Sequence, residues 1–135
     1  MTIVTATTAS KLVVVDSSGW LEYLTEDTKA DLFAPYLKSA ETLLLPAIVV
    51  YEVYKTLLAK KGSILAESFA AYASGFRERL IPLDASLSFL AARLSIDSGL
   101  HMADAFIYAT AQAHGAQLIT SDAHFDANLP GVTLV

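Results

Sequence analysis

Short, continuous apolar runs alternate along this chain with longer segments whose apolar positions recur at helical spacing. Lys11–Val15 (KLVVV) is a β-branched run ending at Asp16 and Ser17. It reads as a buried strand whose end caps a helix through Gly19–Thr25. Thr28–Lys38 has helical spacing interrupted by Pro35, and Thr42–Leu45 (TLLL) is a second buried strand stopped by Pro46. Proline suits the start of a helix, here Ala47–Lys61, which should end at Gly62. Ser63 should cap a further helix reaching Arg79, with Arg77 and Arg79 placed at its carboxyl end. Leu80–Leu83 (LIPL) is a third strand, placed at a sheet edge because proline cannot donate to a ladder. Asp84 or Ser86 should start a helix that closes at Gly99, and His101–His114 a helix that closes at Gly115. Gln117–Thr120 (QLIT) and Val132–Val135 complete the strands. Strands alternating with helices predict an α/β fold, three layers α/β/α around a central parallel sheet of four to five strands.

The length of 135 residues suits one domain spanning 1–135. With 54% hydrophobic and 17% charged residues, the composition excludes a disordered chain. The most apolar stretch, Leu43–Tyr54, is broken by Pro46 and Glu52, well short of the roughly 18 residues a membrane span needs. There is no cysteine, so disulfides, thiolate metal sites and cysteine nucleophiles are excluded. Met1–Ser10 has neither a basic region nor a long apolar run, so no secretory signal is read there and a cytoplasmic location is expected. This threonine-rich segment is expected to be a disordered extension. The formal net charge of −5 argues against a broadly basic nucleic-acid surface. Charge is also uneven: beyond Arg93 there is no lysine or arginine, yet Asp97, Asp104, Asp122 and Asp126 follow. A region with that imbalance calls for a cation, either a metal or a partner's side chain.

Four acids fall at strand ends or early in helices, where open parallel sheets build their sites. Asp16 directly follows the first strand, and Asp122 follows Gln117–Thr120. Glu52 lies early in the helix after Pro46, and Asp104 early in the helix opening near His101. Asp104 is the only formal charge in Met102–Ala113 (MADAFIYATAQA), with Leu100, His101, Ile107, Tyr108 and Ala111 on its face. A carboxylate there either caps first-turn amides or needs a counter-charge. Glu52 is likewise alone in Ala47–Tyr54 (AIVVYEVY), sharing its face with Ile48, Thr56 and Ala59. Asp16 alone reads as a helix cap, and Asp122 alone as turn chemistry. Gathered by the topology, the four would repel one another strongly without a cation. Oxygen donors in a cysteine-free chain favour Mg²⁺ or Mn²⁺ over zinc.

The ordered set Val13–Ser18 (VVVDSS), Pro46 with Glu52, Ala103–Ile107 (ADAFI) and Thr120–Phe125 (TSDAHF) resembles PIN-domain nucleases, and within them VapC-type toxins of toxin–antitoxin pairs. The resemblance runs from Val13 to Val135. It implies that Asp16, Glu52, Asp104 and Asp122 form an acidic catalytic quartet around Mg²⁺, with Mn²⁺ as a substitute and Asp16 and Asp104 as the most direct ligands. It further implies hydrolysis of RNA phosphodiester bonds leaving 3′-hydroxyl and 5′-phosphate ends, and an antitoxin covering the site; a homodimer is expected separately, from the high apolar fraction. One position departs from the pattern: many members carry a further acid where His124 stands, which leaves a second metal position open. His124 reads there either as a residue that tunes the site or, in preference, as a surface residue.

Lys55, Lys60, Arg77, Arg79 and Arg93 are candidate phosphate contacts, and Tyr23, Tyr51 and Tyr54 candidate stacking partners, although helical spacing places such tyrosines in a core or subunit contact first. Other classes fit less well. A phosphoacceptor receiver wants an acidic pair and a late lysine, and a dehalogenase-type phosphatase wants an aspartate where Ser18 stands. Glycine-rich nucleotide-binding motifs are absent. A non-catalytic PIN-like binding module, and a PIN nuclease that processes RNA outside toxin–antitoxin pairs, remain as alternatives.

Overall fold

The computed structural model describes residues 12–126 and 128–135. Lys11 and the proposed extension 1–10 lie outside the described residues. Five strands, β1 (Val13–Val15), β2 (Leu43–Pro46), β3 (Leu80–Ile81), β4 (Gln117–Thr120) and β5 (Val132–Leu134), form one sheet in the order β3-β2-β1-β4-β5. Every pairing is parallel, with Val14 beside Leu44 on one side and Leu118 on the other. Six helices flank it: α1 (Ser17–Leu24), α2 (Ala30–Leu37), α3 (Ala47–Lys60), α4 (Ser63–Ser74), α5 (Ala85–Ser98) and α6 (Met102–Ala113). The three-layer α/β/α architecture expected from the alternation is the one observed.

The apolar runs form strands because both faces of a covered parallel sheet must be apolar. Val14, Val15, Leu43, Leu45, Leu118 and Ile119 are almost wholly buried, and Val49, Val53 and Leu57 of α3 and Ile107 of α6 are fully so. Pro82, just beyond β3, sits at the edge position its missing donor requires. Asp84 caps α5 by accepting from the Leu87 amide at 2.9 Å. Gly62, Gly99 and Gly115, expected to end helices, carry φ of +99°, +79° and +63°. Among the described residues no helix is long and apolar enough to cross a membrane.

The helix expected to run from Ser63 to Arg79 ends instead at Ser74, and its N-cap is Gly62 rather than Ser63. Arg77 adopts a positive φ of 56° and opens a separate 3₁₀ turn, Arg77–Arg79. Hydrogen bonds from outside the segment explain the break. Arg79 Nη1 donates to the carbonyls of Ala40 and, at 3.0 Å, Leu43, while its guanidinium lies 4.5 Å from the Phe76 ring centroid. Two charge-assisted bonds of that kind outweigh one more helical turn.

The order of strands positions the site. The chain steps from β1 to β2 to β3 in one direction, then returns to lay β4 on the opposite side of β1. A crevice therefore opens beyond the carboxyl ends of β1 and β4, the switch point at which such sheets bind ligands. Next to the end of β1, the packing of α1 is tightly set at Gly19. A Cβ built there would lie 2.6 Å from the Phe33 ring and 2.7 Å from Val15 Cγ1. Gly19→Ala should gain about 0.5–1 kcal/mol of helical preference and lose about 1–3 kcal/mol to overpacking. The expected outcome is net destabilisation by about 1–2 kcal/mol in urea unfolding.

Candidate active site

Each acid is placed by a different element. Asp16 leaves β1 and caps α1, with Oδ1 accepting from the Gly19 amide at 3.1 Å. Ser18 Oγ donates to both its oxygens, at 2.9 and 3.1 Å, and Thr120 Oγ1 donates to Oδ2 at 2.7 Å. Only 3% of Asp16 is exposed. Burial pushes its carboxyl above the usual value; the bonds from Thr120, Gly19 and Ser18 pull the other way, and the charge of Asp122 adds to the rise.

Thr120, the last residue of β4, is fully buried. Besides donating to Asp16, its hydroxyl accepts from the Asp122 amide at 2.9 Å, so one side chain fixes acids from two strand ends. Glu52, in the second turn of α3, accepts from Ser17 Oγ at 2.7 Å through Oε1. Asp104, third in α6, has a side chain 19% exposed. Among the described residues nothing donates a hydrogen bond to its carboxylate, so it does not cap α6. Burial raises its pKa most, followed by Asp122; His124 opposes the rise, while Glu52 and Asp16 add to it. All three other acids thus act on Asp104, and the structure brings the four together.

His124 is both exposed and engaged. Two-thirds of its side chain meets solvent, yet Nδ1 lies 3.4 Å from Asp122 Oδ1 and 3.6 Å from Asp104 Oδ2. The surface reading describes its exposure and misses its direction. The hydroxyls of Ser17, Ser18 and Thr120 were also visible as neighbours of acids, but Asp-Ser-Ser and Thr-Ser-Asp read equally well as caps and turns. The basic candidates fare differently. Arg79 is committed to backbone carbonyls near the amino end of β2, away from the crevice. Tyr54 donates to Glu67, and Lys55 to the Tyr51 hydroxyl at 3.4 Å.

Among the described residues no lysine or arginine forms an ion pair with the four acids; their one basic-type neighbour within 4 Å is the imidazole of His124. Two carboxyls raised by burial and by like charges, with hard oxygen donors converging, fit a divalent cation of the Mg²⁺ or Mn²⁺ class. One ligating atom each from Asp104, Asp122 and His124 lies within 4.8 Å of the others.

The sequence model of the PIN domain matches residues 13–128. Similar solved structures include a toxin–antitoxin complex from Klebsiella pneumoniae, 19% identical, covering 90% of this chain and 95% of that one with a TM-score of 0.66. VapBC2 from Rickettsia felis, bound to a DNA fragment from its promoter, is 18% identical over 92% and 97% of the two chains, with a TM-score of 0.69. FitAcB from Neisseria gonorrhoeae is 20% identical over 82% and 88%, with a TM-score of 0.65. At these identities the likeness is one of fold. No curated protein matches the sequence significantly.

The raised carboxyls make metal-free stability depend on pH. Because the folded state holds these protons more tightly than the unfolded chain, their contribution to stability falls as pH rises from about 4 through the folded pKa values, and the penalty persists at neutral pH. In chelator at neutral pH, Asp104→Asn should therefore melt above wild type, with a shallower loss of stability between acid and neutral pH. Mn²⁺ at a hundredfold excess over its Kd should stabilise wild type by about 2.7 kcal/mol and leave the variant unmoved. Thermal melts across pH, with and without Mn²⁺, check both.

Proposed function

The chain belongs to the PIN-domain family, and from that premise we propose that it is a Mg²⁺-dependent endoribonuclease, the toxin of a toxin–antitoxin pair. PIN domains are generally nucleases. The observation that carries the reading is the convergence of Asp16, Glu52, Asp104 and Asp122 at the β1–β4 switch point with, among the described residues, no lysine or arginine paired to them. A scaffold that only bound a partner would bear the cost of that repulsion without using it.

Asp16 and Asp104 would hold Mg²⁺, or Mn²⁺ in its place, with Glu52 and Asp122 beside them. A divalent ion there supplies Lewis-acid chemistry, offsetting charge on a scissile phosphate and easing deprotonation of water. The chain's own groups set the geometry. Thr120 and Ser18 fix both oxygens of Asp16, and the Gly19 amide holds the plane of its carboxylate. Ser17 occupies one oxygen of Glu52 and leaves the other to orient a water or a second cation.

The assignment to a toxin–antitoxin pair draws on the fold shared with the Klebsiella pneumoniae complex, and the partner is an antitoxin that screens the acids. A homodimer would give cover to exposed apolar side chains such as Phe89 and Ile96 of α5 and Met102 of α6. The absence of a membrane-crossing helix among the described residues accords with action in the cytoplasm.

Purified protein free of partner should cleave RNA with Mg²⁺ or Mn²⁺ and not in chelator. Asp104→Asn should fall below about 1% of wild type while its circular dichroism is unchanged, and a variant that keeps cutting overturns the assignment. Thr120→Val, which removes a support rather than a ligand, should lose roughly 10- to 100-fold. Cleavage rates on a mixed RNA pool measure both.

A further inference from the structure

Resting on the metal-site reading above, we propose that Nδ1 of His124 is itself a ligand, completing with Asp104 and Asp122 a metal position that prefers a transition ion such as Mn²⁺ to Mg²⁺. The distances separate this from a hydrogen bond. A charge-assisted N–H···O bond measures about 2.7–2.9 Å, whereas Nδ1 stands 3.6 Å from Asp104 Oδ2 and 3.4 Å from Asp122 Oδ1. Two atoms each about 2.1 Å from one ion lie roughly 3–4.2 Å apart in tetrahedral or octahedral arrangement. The spacing is that of co-ligands, and one ligating atom from each of the three residues lies within 4.8 Å of the others.

His124 is also held more firmly than its exposure suggests. Its backbone amide donates to Asp122 Oδ1 at 2.9 Å, and the next residue, Phe125, is buried and donates its amide to the Asp122 carbonyl at 3.1 Å. Anchors on both sides keep the imidazole over the acids. The second histidine of this rim, His101, meets the His124 ring edge-on at a centroid distance of 6.2 Å and lies outside the three-atom group.

Donor chemistry then sets the choice of ion. Mg²⁺ favours oxygen ligands and retained waters, while an imidazole nitrogen raises affinity for first-row transition ions. The half of the site built by Asp16 and Glu52 offers oxygen alone; the half at the rim, with His124, does not. The selectivity is therefore assigned to the rim.

Mn²⁺ binding to the full chain can be followed by calorimetry, in competition with Mg²⁺, and by electron spin-echo envelope modulation, which detects a directly coordinated imidazole nitrogen. Wild type and His101→Ala should show nitrogen modulation, and His124→Ala should lose it. The preference for Mn²⁺ over Mg²⁺ should fall about tenfold or more in His124→Ala, with Mg²⁺ affinity little changed. Because His124 is exposed, the variant should fold, as circular dichroism would verify. Mn²⁺ bound without nitrogen modulation, modulation lost in His101→Ala instead, or an unaltered ion preference in His124→Ala would each overturn the proposal and leave the acidic site standing. Failure of wild type to bind Mn²⁺ at all would overturn both this proposal and the metal-dependent reading beneath it.

Discussion

Asp16 is a carboxylate almost out of reach of water, at the point where β1 ends and α1 begins, with a second acid held close by the adjacent strand. Burying such a group costs several kcal/mol unless its oxygens are satisfied. Thr120, from the end of β4 and 104 residues away, donates at 2.7 Å and steadies Asp122 through the same hydroxyl. The site depends on this junction. It fixes the carboxyl ends of the two central strands relative to each other, so that α3 and α6 need only deliver Glu52 and Asp104 to a place already defined.

Much of the fold was legible because its physics is local. Runs such as TLLL and QLIT can serve only as buried strands in a chain of this alternation, and Asp84, Gly99 and Pro82 mark ends by their backbone preferences. The end of α4 was not legible. Nothing between Ser63 and Arg79 forbids a continuous helix, and the break comes from Arg79 reaching carbonyls at Ala40 and Leu43, partners nearly 40 residues away. The same limit applies within the site. The acids stood out as single charges in apolar segments, but their hydroxyl partners did not: Ser17 meets Glu52 across 35 residues, and Thr120 meets Asp16 across 104. The direction of His124 was not legible for a related reason. Exposure can be guessed from a loop sequence, whereas the direction of a ring depends on Phe125 being drawn into the core.

The site divides into two halves that differ in how far they are prepared. Asp16 and Glu52 have hydroxyl donors in place, so their rotamers are fixed before any cation arrives. Asp104 has no hydrogen-bond donor among the described residues and carries the charge of all three other acids. A fully prepared set of four would be still less stable in isolation, because every added restraint would hold like charges closer. A fully loose set would spend binding energy on ordering when its ligand came. Keeping Asp16, Glu52 and Asp122 held by donors and leaving Asp104 to respond is a compromise between those costs. A cation bound there would couple to folding stability through one side chain, whose neighbours in α6 are otherwise apolar. The repulsion among the acids that works against the fold is thus the same interaction that a cation would relieve.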